Sequence, residues 1–445
     1  MVRPPRAGAW TPPLLALLAA SALAACTGSE ATAPRGPESA PWLPARASAA
    51  GRARVVVLGL DGLDGVLLDR MLEAGALPAF AALAQQGLRA DVSVPEPIMS
   101  PLLWTTMASG YPAEVHGIGG WARPNGAAYT GADVRVARIW DRLAARGEAS
   151  VVCGWLMTWP AAPIPGALLS DRFAWTPPMD RAGTSGTPPG PVERWGLASP
   201  DALLTLAETQ IPGPSWLAAS PLGAQVAEAS VPGFVHPYAR DESHLRVFEA
   251  VWPKAGARLG AVYLAMADQV SHLHWADPVP GEAPTGRVPD VYRVLDGVVR
   301  RVRAVIDADT TLLVVSDHGF RGGVEAGAGV AVGQHRDPAV LLAVGPSVRG
   351  TGMRAALDVL DIGPTVAALL GLPPAADQPG RVRDDLFRIA RLPPTVDSWR
   401  LDVDATDALA VDEAPGADAV RAQLQALGYL DARGRPVTGV SRRAR

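Results

Sequence analysis

The chain has 445 residues, a formal net charge of −4 and a hydrophobic content of 48%, with 46 glycines and 43 prolines. This length suits one large α/β domain with insertions, or two domains, and the composition is typical of a globular protein rich in loops. The slightly acidic balance, without a basic stripe, argues against a nucleic acid polymer as a partner. With only two cysteines, a disulfide framework is excluded.

The first residues are typical of a secretion signal. Arg3 and Arg6 precede an apolar segment, Leu14–Leu23, that is too short to span a bilayer. The sequence LAAC that ends at Cys26 resembles the bacterial lipobox, which implies cleavage before this cysteine and attachment of a lipid to it. The alternative is an ordinary cleaved signal peptide in which Cys26 is incidental. The lipobox interpretation predicts an extracytoplasmic protein anchored to the membrane, in the periplasm or at the cell surface.

Composition and apolar patterning divide the chain into four segments. Residues 1–25 are interpreted as the lipoprotein signal peptide, and residues 26–51, rich in Ala, Pro, Ser and Gly, as a flexible tether. The main domain is predicted over residues 52–395. Within it, residues 173–239 lose the regular pattern and predict an insertion or lid. Residues 396–445 are predicted to form a C-terminal helix and a loose tail.

Apolar patterning predicts alternating strands and helices along the main domain. Short, uniformly apolar runs predict strands buried on both faces, and apolar residues at helical spacing predict helices between them. The strands predicted in this way are Arg54–Leu60, Ala149–Cys153, Leu259–Met266, Thr311–Val315 and Ala339–Val344, and Leu88–Val94, which alternates, is predicted as a further short strand. The predicted helices include Pro101–Ser109, Val134–Arg146, Leu203–Glu208, Asp241–Val251, Val291–Ile306, Asp361–Leu372 and Ala417–Leu427. Strands separated by helices predict an α/β fold with a mostly parallel sheet covered on both faces.

Three of the predicted strands deliver an aspartate at their carboxyl end, the edge of an open α/β sheet where ligands bind. These residues are Asp61, Asp268 and Asp317, and Asp64 is predicted to cap the helix that follows the first of them. Asp268 stands four residues before His272. One helical turn at the end of the strand therefore places both side chains on one face.

Three histidines, His272, His318 and His335, join the three aspartates. Carboxylate oxygens and imidazole nitrogens are both ligands of divalent metals, and this number is enough for two ions with open coordination positions. The alternative for each strand end is an ordinary polar turn. Ser100, at the N-terminus of a predicted helix, is a candidate nucleophile, because the helix dipole and unbonded backbone N–H groups favour a phosphate-like anion there.

Longer segments resemble one known family. They are VVVLGLDGLD at residues 55–64, PIMSPLLWTTMASGYPAEVHGI at 97–118, GWLMTWPAAPIPGALLSDRF at 154–173, ADQVSHLHW at 267–275, SDHGF at 316–320, GQHRDP at 333–338 and LQALGYL at 424–430. In this order, and over most of the chain, they resemble the type I phosphodiesterase/nucleotide pyrophosphatase branch of the alkaline phosphatase superfamily. The resemblance implies an alkaline-phosphatase-like α/β fold, with a mostly parallel central sheet, helices on both faces and a loop-rich insertion.

The resemblance also implies a reaction and a ligand set. Ser100 corresponds to a nucleophile that becomes transiently phosphorylated, and a second displacement by water gives net retention at phosphorus. The corresponding metal ligands are Asp61, Asp317 and His318, with Ser100, for one ion, and Asp268, His272 and His335 for the other. The family usually uses zinc, which agrees with nitrogen and oxygen ligands, although the same ligands suit manganese. The implied substrate is a phosphorylated small molecule or ester.

Two departures limit what the resemblance implies. The best known nucleotide pyrophosphatases carry a threonine nucleophile and an asparagine further along the same segment, whereas this chain has Ser100 and no later asparagine before Asn125. Nucleotide specificity is therefore open, and another group has to contact the phosphoryl oxygens. Sulfatases have proline two residues after the nucleophile and arginine four residues after it. Here Pro101 follows Ser100 directly and Trp104 stands at the fourth position, which disfavours a sulfatase.

Three classes of function remain open on the sequence alone. The first is a metal-dependent hydrolase of phosphodiesters or phosphomonoesters. The second is a relative in the same superfamily that hydrolyses sulfate or phosphonate esters, or that transfers phosphoryl groups. The third is a cell-envelope lipoprotein that keeps the fold without turnover.

Several further residues have two interpretations. His274 and Trp159 are candidates for positions behind the metal ligands, and Trp159 either packs in the core or lines the substrate mouth. Arg172 either places a cation near the phosphate or forms an ordinary ion pair with Asp171. His244 is predicted to be an ordinary surface or lid residue.

Overall fold

A computed structural model of the chain describes residues 43, 52–125, 127–174, 194–220, 235–324 and 331–401. The strands are β1 Arg54–Leu60, β2 Leu88–Ser93, β3 Ala149–Cys153, β4 Gly166–Leu169, β5 Ala198–Ser199, β6 Ala257–Leu264, β7 Thr310–Val315, β8 Gly319–Val324, β9 Ala331–Arg336, β10 Ala339–Val344 and β11 Met353–Asp358. The helices are α1 Gly65–Glu73, α2 Pro78–Gln86, α3 Ser100–Ser109, α4 Ala113–His116, α5 Ile139–Ala144, α6 Asp201–Thr209, α7 Pro214–Ala219, α8 Val235–Val251, α9 Met266–His274, α10 Arg287–Val305 and α11 Val359–Leu369. The predicted signal peptide with Cys26 and the predicted helix Ala417–Leu427 lie outside the described residues.

Nine of these strands form one sheet within the described part of the chain, in the order β11-β2-β10-β7-β1-β6-β3-β4-β5. β1 lies at the centre and runs parallel to both of its neighbours, β7 and β6. β10 runs antiparallel to β7 and β2, and β5 runs antiparallel to β4 at one edge. The prediction of a mostly parallel central sheet is confirmed.

Both faces of the sheet are covered, as the uniformly apolar strands predict. All seven residues of β1 are buried. Val56 and Leu58 belong to a core that includes side chains of α1, α2, α8 and α10, whereas Val55 and Val57 belong to a second core with α3, α5 and α11. Because successive side chains of a strand point to opposite faces, a strand between two helical layers has to be apolar throughout.

One predicted helix is shorter in the structure, and part of the predicted insertion joins the core. Val134–Arg146 is helical only over α5, because Ala137 before it donates its N–H to the carbonyl of Trp399 at 2.8 Å and is held extended. In the region predicted as an insertion, β5 pairs with β4 and Leu203 of α6 is fully buried. Within the described residues, we find no helix with both the length and the apolar character needed to cross a membrane.

A hairpin that the apolar pattern does not predict follows β7. β8 and β9 pair antiparallel outside the central sheet, and Phe320 lies opposite His335. The hairpin therefore returns the chain to the carboxyl end of β7, where the ring of His335 stacks on the ring of His318 with centroids 3.6 Å apart.

Candidate metal centre

Three aspartates meet at the carboxyl ends of the three central strands. Asp61 directly follows β1, Asp317 lies two residues after β7, and Asp268 lies in the first turn of α9, the helix that follows β6. All three residues are buried, with at most 5% of their surface exposed. Since β7, β1 and β6 are neighbours in the sheet, the structure brings together the three carboxylates that the sequence predicts at one edge.

Gly62 allows the loop after Asp61 to approach the other two strand ends. Its φ of +69° is unfavourable for residues with a side chain, and a Cβ here would lie 2.6 Å from the ring of Phe320 and 2.9 Å from Cα of Asp268. The N–H of Gly62 donates to Oδ1 of Asp317 at 3.3 Å. A larger residue at this position would therefore clash with the ring of Phe320 and with the backbone of Asp268.

The three predicted histidines are oriented by the same kind of contact. In each ring, Nδ1 donates its hydrogen to a backbone carbonyl, which directs Nε2 towards the aspartates. The pairs are His318 with Gly319 at 3.2 Å, His272 with Gly333 at 3.2 Å, and His335 with Ile98 at 3.1 Å. In this tautomer a histidine can offer Nε2 to a metal ion.

His318 stands between all three carboxylates. Its Nε2 lies 3.3 Å from Oδ1 of Asp61, 3.4 Å from Oδ2 of Asp317 and 3.7 Å from Oδ1 of Asp268. The ligand atoms of His318, Asp61 and Asp317 form one compact group, in which all atoms lie within 4.8 Å of one another. All three residues of this group are buried. The group corresponds to the first predicted ligand set.

A second group surrounds Asp268. Its Oδ1 lies 3.2 Å from Nε2 of His272 and 3.2 Å from Nε2 of His335. The ligand atoms of Asp268, His335 and His318 also lie within 4.8 Å of one another. His318 therefore belongs geometrically to both groups, and His272 adjoins the second. The six predicted ligands form one continuous cluster with two centres.

The electrostatics of the cluster follow from burial and from mutual repulsion. Burial and the carboxylate of Asp61 raise the pKa of Asp317 well above its usual range. Although burial alone would lower it, the carboxylates of Asp317 and Asp61 raise the pKa of His318 to about 10. Burial and the nearby His318 lower the pKa of His335 to about 4. Without bound cations, the cluster has to take up protons to balance its negative charge.

Two features of the cluster indicate that divalent cations fit it. Oδ2 of Asp317 is buried and accepts no hydrogen bond from the described residues, although a buried carboxylate oxygen needs a partner. Nε2 of His272 and Nε2 of His335 lie 2.9 Å apart, within hydrogen-bonding distance, and both rings direct this nitrogen at Oδ1 of Asp268. Two imidazoles and a carboxylate that converge in this way form a donor set that a divalent cation can share. The oxygen and nitrogen donors suit zinc or manganese.

Ser100 is the first residue of α3 and is buried beside the cluster. Its Oγ lies 3.3 Å from Oδ1 of Asp61 and 3.4 Å from Nε2 of His318. Pro101 occupies the start of the helix, where a missing N–H breaks no helical hydrogen bond, so the predicted helix N-terminus is confirmed. The Ser100 hydroxyl thus lies beside the candidate metal ligands and at a helix N-terminus, which favours anions.

Comparison with known proteins shows the family to which the chain belongs. The family model "Type I phosphodiesterase / nucleotide pyrophosphatase" matches residues 55–328, more than half of the chain. The chain belongs to the type I phosphodiesterase/nucleotide pyrophosphatase family. Among solved structures, it is similar to a quadruple mutant of the alkaline phosphatase PafA, with 12% identity and a TM-score of 0.47, over 76% of this chain and 100% of that one. The search of curated proteins finds no match.

Family membership makes the chain an enzyme of the phosphoester-hydrolase type, from a metal-dependent superfamily. Five of the six predicted ligands, and Ser100, lie inside the matched segment. His335 lies beyond it, on the hairpin strand β9. The hairpin therefore contributes to the site a residue that the family match does not cover.

Asp64 connects the segments that carry the ligands, in addition to its predicted role as a helix cap. Its Oδ1 accepts the N–H of Leu67 at 2.8 Å, which confirms the cap. Its Oδ2 accepts the N–H of Phe320 at 3.0 Å and a guanidinium N–H of Arg336 at 2.7 Å. Phe320 and Arg336 each lie within two residues of a candidate ligand. Asp64 therefore holds both strands of the β8–β9 hairpin against the loop that follows β1.

Two residues in contact with the cluster have no functional signal in the sequence. Trp104 and Tyr263 both donate hydrogen bonds to Asp61. Trp104 stands four residues after Ser100, so helical spacing places both on one face, but a tryptophan in an apolar helix more often indicates core packing. Tyr263 lies inside the apolar strand β6, where the sequence predicts only burial.

The other residues singled out by the sequence lie in varied surroundings. Nε2 of the half-buried His274 lies 3.2 Å from Nη1 of Arg287, and the guanidinium of Arg172 stacks on the ring of Trp159 at 3.6 Å. Their places behind the metal ligands stay predictions.

The prediction that His244 is a surface or lid residue is wrong. It is only 1% exposed, because α8 packs against β3 and β6, and burial lowers its pKa to about 3.

Proposed function

We propose that the protein hydrolyses phosphoric esters at a site for two divalent cations, with Ser100 as the nucleophile. The observation that carries this proposal is the position of the Ser100 hydroxyl, 3.3 Å from Asp61 and 3.4 Å from His318 at the edge of the acidic and imidazole cluster. Family membership and the buried donor set support the same conclusion.

The residues that would hold the cations come from the two geometric groups, with His318 kept in the first and the adjoining His272 added to the second. We assign Asp61, Asp317 and His318, with Ser100, to one ion, and Asp268, His272 and His335 to the other. When bound, such ions neutralise charge on phosphoryl oxygens and lower the pKa of a neighbouring hydroxyl or water. Zinc is the first candidate because the ligands are histidine nitrogens and carboxylate oxygens, and manganese is the second.

The protein's own groups account for the geometry of the reaction. In the first displacement, Ser100 Oγ forms a bond to phosphorus while the bond to the leaving oxygen breaks. The hydroxyl proton of Ser100 passes to solvent, and the leaving oxygen takes up a proton from solvent. In the second, a water oxygen bonds to phosphorus while the bond to Oγ breaks, a proton of this water returns to Oγ, and the phosphate product leaves. Two in-line displacements give net retention of configuration at phosphorus. While the phosphoryl group is attached to Ser100, the first residue of α3, the N-terminus of this helix stabilises its negative charge.

A substrate comparison tests this function. The full chain, purified in detergent and loaded with Zn²⁺ or Mn²⁺, is expected to hydrolyse aryl phosphodiesters or phosphomonoesters faster than aryl sulfates. A chelator should abolish this activity, and readdition of the metal should restore it. Preferred hydrolysis of the sulfate would support the sulfate-ester alternative instead. A chain that takes up no metal and hydrolyses none of the three substrates would support an envelope protein without turnover.

We propose further that Cys26 carries a lipid that anchors the enzyme to the membrane outside the cytoplasm. The support is the lipobox-like sequence before this residue, which lies outside the described part of the chain. Cys26→Ala is expected to abolish incorporation of labelled fatty acid and to release the protein from the membrane fraction. Labelling of the variant at the level of the wild type would contradict the anchor.

A further inference from the structure

The two carboxylate oxygens of Asp61 have different surroundings. Oδ1 faces the cluster, 3.3 Å from Ser100 Oγ and 3.3 Å from Nε2 of His318. Oδ2 faces away from these groups and accepts two hydrogen bonds, one from the indole N–H of Trp104 at 3.2 Å and one from the hydroxyl of Tyr263. Both donors are buried and uncharged, with 0% and 3% of their surface exposed. One oxygen of Asp61 is thus held by aromatic donors, and the other faces the candidate metal position.

The indole of Trp104 is itself fixed by its neighbours. Its ring meets Tyr263 and Trp155 edge to face, with centroids 5.2 Å and 5.1 Å apart. The indole N–H of Trp155 donates to the backbone carbonyl of Trp104 at 3.1 Å. The hydrogen bond holds the Trp155 ring in place, and the two edge-to-face contacts restrict rotation of the Trp104 ring between its neighbours. In this orientation the indole N–H of Trp104 is directed at Asp61.

The strand beneath Trp104 leaves room for this ring. A Cβ at Gly59, two residues before Asp61 on β1, would lie 2.6 Å from a ring carbon of Trp104. Only glycine lets the indole lie this close to the strand. Trp104 also belongs to α3, one turn after Ser100. The ring therefore links the helix that carries the nucleophile directly to the strand that carries Asp61.

We infer that Trp104 and Tyr263 are positioning residues that hold the carboxylate of Asp61 so that Oδ1 alone is presented to the cation shared with Ser100. The inference rests on the metal site of the proposed function. Rotation of the carboxylate would exchange its two oxygens, and two donors on Oδ2 oppose this rotation. Hydrogen bonds to an ionised acceptor are stronger than neutral ones, so the pair restricts Asp61 more than packing alone. Groups that orient a metal ligand in this way affect metal affinity about 10-fold to 100-fold.

The test compares two tryptophan-to-phenylalanine variants of the full chain. Trp104→Phe removes the N–H that reaches Asp61 and keeps an aromatic ring. Trp140→Phe is the matched control, because Trp140 is also buried, its ring centroid lies 6.1 Å from that of Trp155, and its N–H has no hydrogen-bond partner among the described residues. We expect Trp104→Phe to weaken Zn²⁺ binding about tenfold in competition with a chromophoric chelator, and Trp140→Phe to leave it unchanged. The visible spectrum of the Co²⁺-loaded protein is expected to change only in Trp104→Phe.

Tyr263→Phe provides the second variant, because it deletes a single oxygen and keeps the ring. Weaker Zn²⁺ binding in this variant, and a larger loss in the Trp104→Phe/Tyr263→Phe double variant, would support the inference. Wild-type affinity and an unchanged Co²⁺ spectrum in both Trp104→Phe and Tyr263→Phe would overturn it and leave the proposed function intact. Failure of the wild-type chain to bind either metal would overturn the proposed function as well, so the two failures are distinguishable.

Discussion

Replacement of Ser100 with alanine is expected to lower the rate of phosphoester hydrolysis by about a thousandfold or more. The hydroxyl is the nucleophile of the proposed mechanism, and its oxygen lies 3.3 Å from Oδ1 of Asp61. The substitution removes one buried oxygen, which is itself assigned to the first ion, and leaves the six aspartate and histidine ligands in place. Metal content, measured by elemental analysis, should therefore stay close to that of the wild type while turnover falls.

Ser109→Ala is the matched control for this experiment. Ser109 lies on the same helix and is equally buried, but its hydroxyl donates to the carbonyl of Thr105 at 2.7 Å, one turn away. We expect this variant to keep turnover close to that of the wild type. Acid quenching of the wild type with labelled substrate should trap phosphate on the protein, and Ser100→Ala should trap none. Turnover in Ser100→Ala within tenfold of the wild type would contradict the covalent mechanism.

Asp317→Asn is expected to stabilise the metal-free protein and to weaken metal binding. Asp317 is fully buried, and its Oδ2 accepts no hydrogen bond from the described residues. In chelator, replacement of this carboxylate, whose charged form burial and Asp61 disfavour, should raise the free energy of unfolding by about 2 kcal/mol at pH 8. With Zn²⁺ at about a thousand times its dissociation constant, the wild type should gain ~4 kcal/mol, and the variant should lose most of this gain.

The same variant has a defined pH dependence in chelator. Burial and Asp61 raise the pKa of Asp317 in the folded protein, so the folded state keeps a proton that the unfolded state releases. This contribution to stability is lost as the pH rises through the raised pKa, whereas the side-chain amide introduced by Asp317→Asn does not titrate. The advantage of the variant should therefore increase from pH 6 to pH 8.5 in thermal unfolding curves.

Asp171→Asn is a suitable control, because Asp171 is a buried aspartate whose oxygens already have donors. It accepts backbone N–H groups from Met157 at 3.1 Å and from Trp159 at 2.8 Å. Replacement of one acceptor oxygen by an amide should destabilise the protein with or without Zn²⁺. Two results would contradict the assignment of Asp317 to the first ion. One is that Asp317→Asn destabilises the protein in chelator, as the control does. The other is that the variant keeps the full increase in the free energy of unfolding that Zn²⁺ gives the wild type.

Local patterns in the sequence predict the central strands and most of the chemistry at their ends. Uniformly apolar runs predict strands buried on both faces, and β1 and β7 have the burial that this pattern requires. Asp61 and Asp317 could be placed because they closely follow such runs. The spacing of four between Asp268 and His272 could be interpreted because it matches one turn of α9. These signals are local, so a single sequence contains them.

Which of these local elements meet depends on contacts between distant parts of the chain. The order β7-β1-β6 makes the three aspartates neighbours, and the β8–β9 hairpin returns His335 to His318. The hydrogen bonds of Trp104 and Tyr263 to Asp61, and the burial of His244, also depend on such contacts. The physical reason is that a periodic pattern reports which face of a strand or helix is buried, but not which partner covers it. Contacts between residues far apart in the chain leave no trace in the local pattern.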